Sequence, residues 1–417
     1  MVISIRASSS RRTGTKLDTY EAGLYVVDAD LLCLSHIRWN FGFQRPHELM
    51  SRFAASRRVY FLEEHVVGSG FPFLSLTRSR GVRVLTPRLP RGIDPEDADT
   101  LVRQLLRAFL REHGADKPVH WFCAPTMLPI VDELPSAAVV FDRTDEPSSL
   151  SGARSTFAAR EQELLARADV VFTNGYGLCE RMRDTHRHVH PFPSPPDVEH
   201  FTQARWLLEE PDDQRGLPRP RIGYSGVIDE RMDLALVDSV ARRRPEWQLV
   251  MIGPVVNIDP ASLPRAANIQ YLGMKSYDDL PRYLAGWDVA MLPYARHAAA
   301  HGVSPTKAPE YLASGRPVVA TSVRDVVRPY GDRELVRIAD EPEGFVAAVQ
   351  QALIERTPPA AADVFLASLS WDRTCADMDR QLHAAIERRA AQPSRRSASP
   401  PIDSRPEAGA QGATAQT

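Results

Sequence analysis

The chain has 417 residues, with 51 Lys plus Arg against 53 Asp plus Glu and a formal net charge of −2. That length favours two domains over one core, and 43% hydrophobic with 25% charged residues is a globular composition. The near-neutral charge argues against a general nucleic-acid binder, and no apolar run approaches the ~20 residues that a membrane span needs.

Residues 1–20 are rich in Ser and Arg and lack an apolar stretch of useful length, so no secretory leader is expected and the cytoplasm is. Residues 1–20 and 390–417 read as disordered tails. Cys33, Cys123, Cys179 and Cys375 show no CxxC pair and no metal-ligand spacing, which fits buried thiols in a reducing compartment.

From residue 21 to 205, short apolar runs alternate with helical patterns. Strands are expected at Asp30–Ile37, Val59–Glu64, Val82–Leu85, Val119–Ala124, Ala138–Asp142 and Val170–Asn174, and helices near 46–55, 97–113, 153–167 and 176–184. The first strand runs into a loop, His36 to His47. Pro46 suits a helix start, which sets Gln44 and Arg45 at a helix N-terminus facing a cleft, with Asn40 in the loop before it. Polar groups interleaved with Trp39, Phe41 and Phe43 read as a ligand-facing loop; otherwise these aromatics pack the loop on its own domain. The helix Val102–His113 carries Arg103, Arg107 and Arg111 opposite Leu106, Phe109 and Leu110, and a solvated amphipathic helix is favoured over one touching anionic lipid. Phe141-Asp142-Arg143-Thr144-Asp145-Glu146 ends another strand. Asp145 and Glu146 there are candidates to bond an acceptor hydroxyl or act as a base, or else are simply solvated.

Prolines and charges crowd Pro191–Pro220, which places a hinge near 200–218. A second domain, 206–370, starts afresh at Arg221-Ile222-Gly223-Tyr224-Ser225-Gly226. Its further strands are expected at Leu249–Gly253, Ile269–Gly273, Val289–Pro293, Val318–Thr321 and Leu335–Ile338, and its helices near 232–243, 277–286, 305–314 and 342–355. Gly223 and Gly226 let backbone approach a ligand, and Arg231 near the next helix start is placed to meet a phosphate; a tight turn with a solvated Arg explains the segment equally well. A final helix, 371–389, has apolar Met378, Leu382, Ala385 and Ile386 with which to cross back to the first domain. The whole is an α/β chain of two doubly wound domains facing across a cleft, where ligands bind at the carboxyl ends of the strands.

Ser304-Pro305-Thr306-Lys307-Ala308-Pro309-Glu310 and its continuation to Val319 is the most informative stretch. Ser304 suits an N-cap and Pro305 the first helical position, Gly315 can close the helix in a left-handed conformation, and Pro317 blocks its return. Amides of the first turn at Thr306 and Lys307, beside the Lys307 ammonium, make an anion site fit for a diphosphate. Glu310, one turn on, can accept hydrogen bonds from a pair of sugar hydroxyls. Only four residues are lysines (Lys16, Lys117, Lys275 and Lys307), so a compact cation here, rather than the planar fork of Arg, is distinctive. Metal chemistry has little support: Asp28-Ala29-Asp30 and Asp97-Ala98-Asp99 do not follow strands.

Across 25–389 these segments, together with Ile252-Gly253-Pro254 and Ser370-Trp371-Asp372, resemble the GT-B glycosyltransferases of retaining family 4, also called group 1, and within it a bacterial branch for cell-surface polysaccharide of teichuronic-acid type. The resemblance implies two Rossmann-like domains and a nucleotide-diphosphate sugar, such as a UDP-sugar, held mainly by the second. Arg231 and Lys307 would meet the diphosphate, Glu310 the ribose, and Gly226, Ser304 and Thr306 would line the donor. Front-face transfer to a glycan or lipid-linked acceptor, without metal or other cofactor, would follow, with contact at the inner membrane face as an open expectation and no nucleic-acid partner. The sequence departs from the family at Gly302, where a sugar-reading Glu is usual, and at Asn40, where this branch has Asp. A GT-B nucleotide-sugar epimerase and a non-catalytic sugar-nucleotide-binding protein remain alternatives.

Overall fold

Runs such as Leu31-Leu32-Cys33-Leu34 and Val170-Val171-Phe172-Thr173 are apolar at successive positions and buried on both faces, as central parallel strands must be. In the computed structural model, which describes residues 29–40, 44–144, 154–207, 209–296, 306–356, 358 and 360–391, they form two sheets. The first contains β1 (Leu31–Leu34), β2 (Val59–Leu62), β3 (Val66–Val67), β4 (Phe73–Ser79), β5 (Val82–Leu89), β6 (Val119–Phe122), β7 (Val139–Arg143), β8 (Val170–Thr173) and β9 (Val189–Pro191). They run in the order β3-β5-β2-β1-β6-β7-β8-β9, with β4 antiparallel to β5. The second contains β10 (Arg221–Ser225), β11 (Gln248–Ile252), β12 (Ile269–Gly273), β13 (Val289–Leu292), β14 (Val318–Ala320) and β15 (Arg337–Ile338), in the order β12-β11-β10-β13-β14-β15.

Helices cover both faces of the first sheet, the doubly wound arrangement. Leu106 and Leu110 of the helix Pro95–Glu112 join one core cluster with Leu85 and Leu89. Leu49, Met50 and Phe53 of the helix Arg45–Phe53 join another on the opposite face. That second cluster also takes in Cys375, Met378, Leu382 and Ala385 of the helix Trp371–Ala391, so the C-terminal helix does return to the first domain.

Three features depart from the expected pattern. The strand β4 and the short edge pieces β3 and β9 were not foreseen; β4 reaches its partner β5 through Arg80 and Gly81, both at positive φ, a tight hairpin turn made without the usual Asn-Gly signal. The helices Val198–Thr202, Arg324–Val327 and Ala361–Ala367 span too few turns to show a period. The domain crossing lies upstream of the expected hinge at 200–218 and boundary at 205. Phe192 packs on the first core whereas Val198, Phe201 and Ala204 pack on the second, leaving Pro193–Asp197 as the crossing. The prolines there do mark it, while Phe201 and Ala204 were hidden among polar neighbours. Among the described residues no helix is long and apolar enough to cross a membrane.

Candidate active site between the domains

The loops beyond the carboxyl ends of both sheets meet. Asp325, which follows β14, is buried and accepts hydrogen bonds from the backbone N–H groups of Tyr176 and Gly177, at the start of the helix after β8. Gly175 is needed at this contact, since a Cβ there would lie 2.6 Å from Asp325 Oδ1. Beside it Glu180 accepts from Arg324 at 2.7 and 2.8 Å and from Arg328 at 2.5 Å. A space of about 560 Å³ opens next to this bridge, bounded by Gly177, Arg181, Arg296, Ser322 and Arg324. A second, of about 350 Å³, lies at the domain crossings between Ser194, Thr306, Asp325, Tyr330 and Ser370.

On the second domain, the helix Lys307–Ala313 stops as its sequence dictates. Gly315 adopts φ +75°, its N–H bonds the Leu312 carbonyl at 3.0 Å and the Arg316 N–H bonds that of Tyr311 at 3.1 Å, a Schellman closure. The start differs from expectation: Thr306 is the cap, in a helical conformation and without a side-chain cap bond, while Ser304 lies outside the described residues. Tyr311 fixes this helix to the sheet. Its buried hydroxyl accepts from the Ser225 N–H at 2.7 Å and donates to the Ser225 carbonyl at 3.1 Å. The helix is thereby held against the Gly226–Arg231 loop, the other expected half of the donor site.

That loop is shaped by a close backbone approach. A Cβ on Gly253, at φ +141°, would sit 1.8 Å from the Gly226 carbonyl oxygen, so the turns after β10 and β11 can abut only with glycine there. Buried Asp229 then holds the half-buried Arg231 through Nε at 2.9 Å and Nη2 at 2.5 Å, which raises the guanidinium pKa further. The Lys307 ammonium likewise donates to Glu310 Oε2 at 2.7 Å. Burial pushes the Glu310 carboxyl up from its ordinary value, while Lys307, Thr306 and His200 pull it down. Buried Tyr294, its hydroxyl pushed up to about 12 by that burial, feels the charges of both Arg231 and Glu310.

Two neighbours escaped the sequence reading. His200 belongs to the short helix packed on Lys307–Ala313, and its ring stacks on Tyr277 at 4.3 Å. Tyr277 is exposed at 49% and feels the charge of Glu310. Neither residue carries a motif, and only the fold brings them to this place.

In the first domain the expected acceptor residues separate. Asn40 and Gln44 are exposed at the loop and the helix start. Gln44 is the N-cap, in a reciprocal capping box with His47. Arg45 is turned inward instead of facing the cleft: its Nε and Nη2 bond buried Asp142 at 2.9–3.2 Å and its Nη1 donates to the Phe192 carbonyl at 2.7 Å. A buried guanidinium needs such a partner, and Asp142 supplies it from 97 residues away. Trp39 also packs inward, on His47 and Phe61. Asp145 and Glu146 lie outside the described residues, as do Phe41, Phe43 and Gly302.

Two Rossmann-like domains meeting at the carboxyl ends of their parallel sheets form the GT-B architecture. Solved structures of that kind align over most of the chain: sucrose-phosphate synthase from Thermosynechococcus elongatus, at 17% identity and TM-score 0.59 over 82% of this chain and 93% of that one, and the trehalose-6-phosphate structure from E. coli bound with UDP-2-fluoro glucose, at 12% identity and TM-score 0.60 over 85% and 99%. At these identities the likeness is one of fold. Residues 219–355 match the family described as "Glycosyl transferases group 1", so the second domain is a group 1 glycosyl transferase domain. The "Putative teichuronic acid biosynthesis glycosyltransferase TuaH" of Bacillus subtilis (strain 168) is 30% identical over 138 residues, 32% of this chain. The match spans 34% of that relative's length.

Proposed function

We propose that this chain is a retaining glycosyltransferase that moves a sugar from a nucleotide-diphosphate donor to a glycan or lipid-linked acceptor in the synthesis of a cell-surface polysaccharide. The carrying observation is the Lys307–Glu310 pair on a helix that Tyr311 locks to the Gly226–Arg231 loop. An ammonium has three donors, so Lys307 can keep its bond to Glu310 and still give hydrogen bonds to a diphosphate. Arg231, steadied by Asp229 through Nε and Nη2, can turn Nη1 toward the same group. Glu310 then accepts from the ribose hydroxyls.

In this reading the acceptor hydroxyl attacks on the face from which the diphosphate leaves. Lys307 and Arg231 stabilise the negative charge that develops on the leaving group, which is catalysis by prearranged electrostatics and positioning rather than through a protein nucleophile or a metal ion. The UDP-sugar bound in the E. coli neighbour supports a uridine donor, and the relationship to TuaH supports an envelope polysaccharide as the product. The test is transfer from a panel of nucleotide sugars to membrane-extracted and glycan acceptors. Lys307→Ala and Glu310→Ala are expected to abolish product while remaining folded; full turnover in either variant removes the site assignment, and release of an epimerised sugar nucleotide without acceptor product rejects transfer.

A further inference from the structure

Residues 66–91 contain Arg78, Arg80, Arg83, Arg88 and Arg91 and no Asp or Glu, in a chain whose net charge is −2. Many arginines elsewhere pair with carboxylates, as Arg231 does with Asp229 and Arg324 with Glu180. Among the described residues, Arg78, Arg88 and Arg91 form no ion pair with any carboxylate. The same segment exposes apolar side chains: Val67 at 55%, Phe71 at 67% and Phe73 at 38%. The two Phe rings touch at 5.5 Å.

Register brings Arg88 to the apolar side chains, while Arg78, opposite Arg83, lies at the other end of the hairpin. In the hairpin, Phe73 stands opposite Arg88, and on the other side of Arg88 stands Val66 of β3. Arg91 lies over the Gly68 turn, within 4.0 Å of where a Cβ would be. This end of β5 is its carboxyl end, so the tip sits on the cleft-facing rim of the first domain. Arg38, in the loop that carries Asn40, donates to the His65 carbonyl at 3.4 Å and ties that loop to the tip.

Arginines along a free edge strand protect it against strand addition, but protection alone does not set two Phe rings in water beside them. The helix Pro95–Glu112 offers no comparable surface, because Arg103 donates to the Pro129 carbonyl and Arg107 pairs with Glu133. We propose that the Val66–Arg91 tip docks the protein on an anionic lipid bilayer. Phe71, Phe73 and Val67 enter the headgroup boundary and Arg88 and Arg91 meet lipid phosphates. The chemistry is complementary on both counts, apolar wedge and unpaired cations, and the placement presents the acceptor rim of the cleft to the bilayer. It requires nothing of the donor site.

Co-sedimentation of the full chain with phosphatidylcholine vesicles, with and without phosphatidylglycerol, tests this. Binding is expected only to the phosphatidylglycerol vesicles and should fall with salt. Phe71→Ser with Phe73→Ser, and separately Arg88→Glu with Arg91→Glu, should each weaken it by roughly tenfold or more at unchanged melting temperature, whereas Arg78→Glu, at the far end of the hairpin, should weaken it less. Because none of these side chains is buried, the variants are expected to fold. No binding to either vesicle, equal binding to both, or binding unchanged in both double variants overturns the proposal. Tighter binding to a single-stranded oligonucleotide than to anionic vesicles assigns the tip to nucleic acid and overturns it equally.

Discussion

Glu310 holds a carboxylate in a place that disfavours charge, and Lys307 is the main reason it can stay ionised. The consequence is a pH dependence of defined sign. The folded-state pKa of Glu310 is raised, so its contribution to stability is fully present below the unfolded value of 4.5 and is lost as pH rises through the folded value. Donor binding runs the other way, since only the carboxylate can accept from two hydroxyls. Affinity for a nucleoside diphosphate is therefore expected to weaken as pH falls through the raised Glu310 pKa, and Glu310→Gln should bind more weakly with that acid limb gone. Calorimetric titrations across the acid range check this; an acid limb unchanged in Glu310→Gln assigns the titration to another group. The pair itself was legible in the sequence, because residues three apart on a helix are neighbours. Arg45 was not, because its fate depends on Asp142, far along the chain. His200 and Tyr277 lacked any local signal for the same reason.

At the scale of elements, the helix Lys307–Ala313 and strand β10 act as one unit because of the Tyr311 hydroxyl. Tyr311→Phe leaves the buried Ser225 N–H without its partner, at a cost of about 1–3 kcal/mol. Denaturant unfolding should show that loss, together with weaker nucleotide binding from a loosened Gly226 loop; unchanged stability means the hydroxyl does not fasten the helix. Most elements of this kind could be read from apolar runs, Pro and Gly: the Gly315 stop and the strands β10 to β14 lie close to where the pattern puts them. What could not be read were short pieces whose order comes from packing. The strand β4 exists because β5 offers it a ladder, and the helix Val198–Thr202 because Phe201 reaches the second core.

At the scale of the molecule, two chain crossings and one polar bridge join the domains among the described residues. Asp325 caps a helix of the opposite domain from a buried position, with Glu180, Arg324 and Arg328 around it. Asp325→Ala should cost about 0.5–2 kcal/mol, as loss of an N-cap does, and should increase the radius of gyration as the cleft opens; an unchanged scattering curve would show that the bridge does not hold the domains together. The two-domain architecture was legible from the alternating pattern and the proline-rich crossing, while the bridge across it was not.

If Lys307 and Glu310 form the donor side of a cleft for a nucleotide-diphosphate sugar, losing either side chain must weaken nucleotide binding. The most direct test is a calorimetric titration of the protein and of its Lys307→Ala and Glu310→Ala variants with UDP, GDP and their sugars. One nucleoside diphosphate is expected to bind the wild-type protein at a single site, and each variant to lose roughly tenfold or more of that affinity. Absence of binding by every nucleotide tested, or equal affinity in all three proteins, would contradict that assignment.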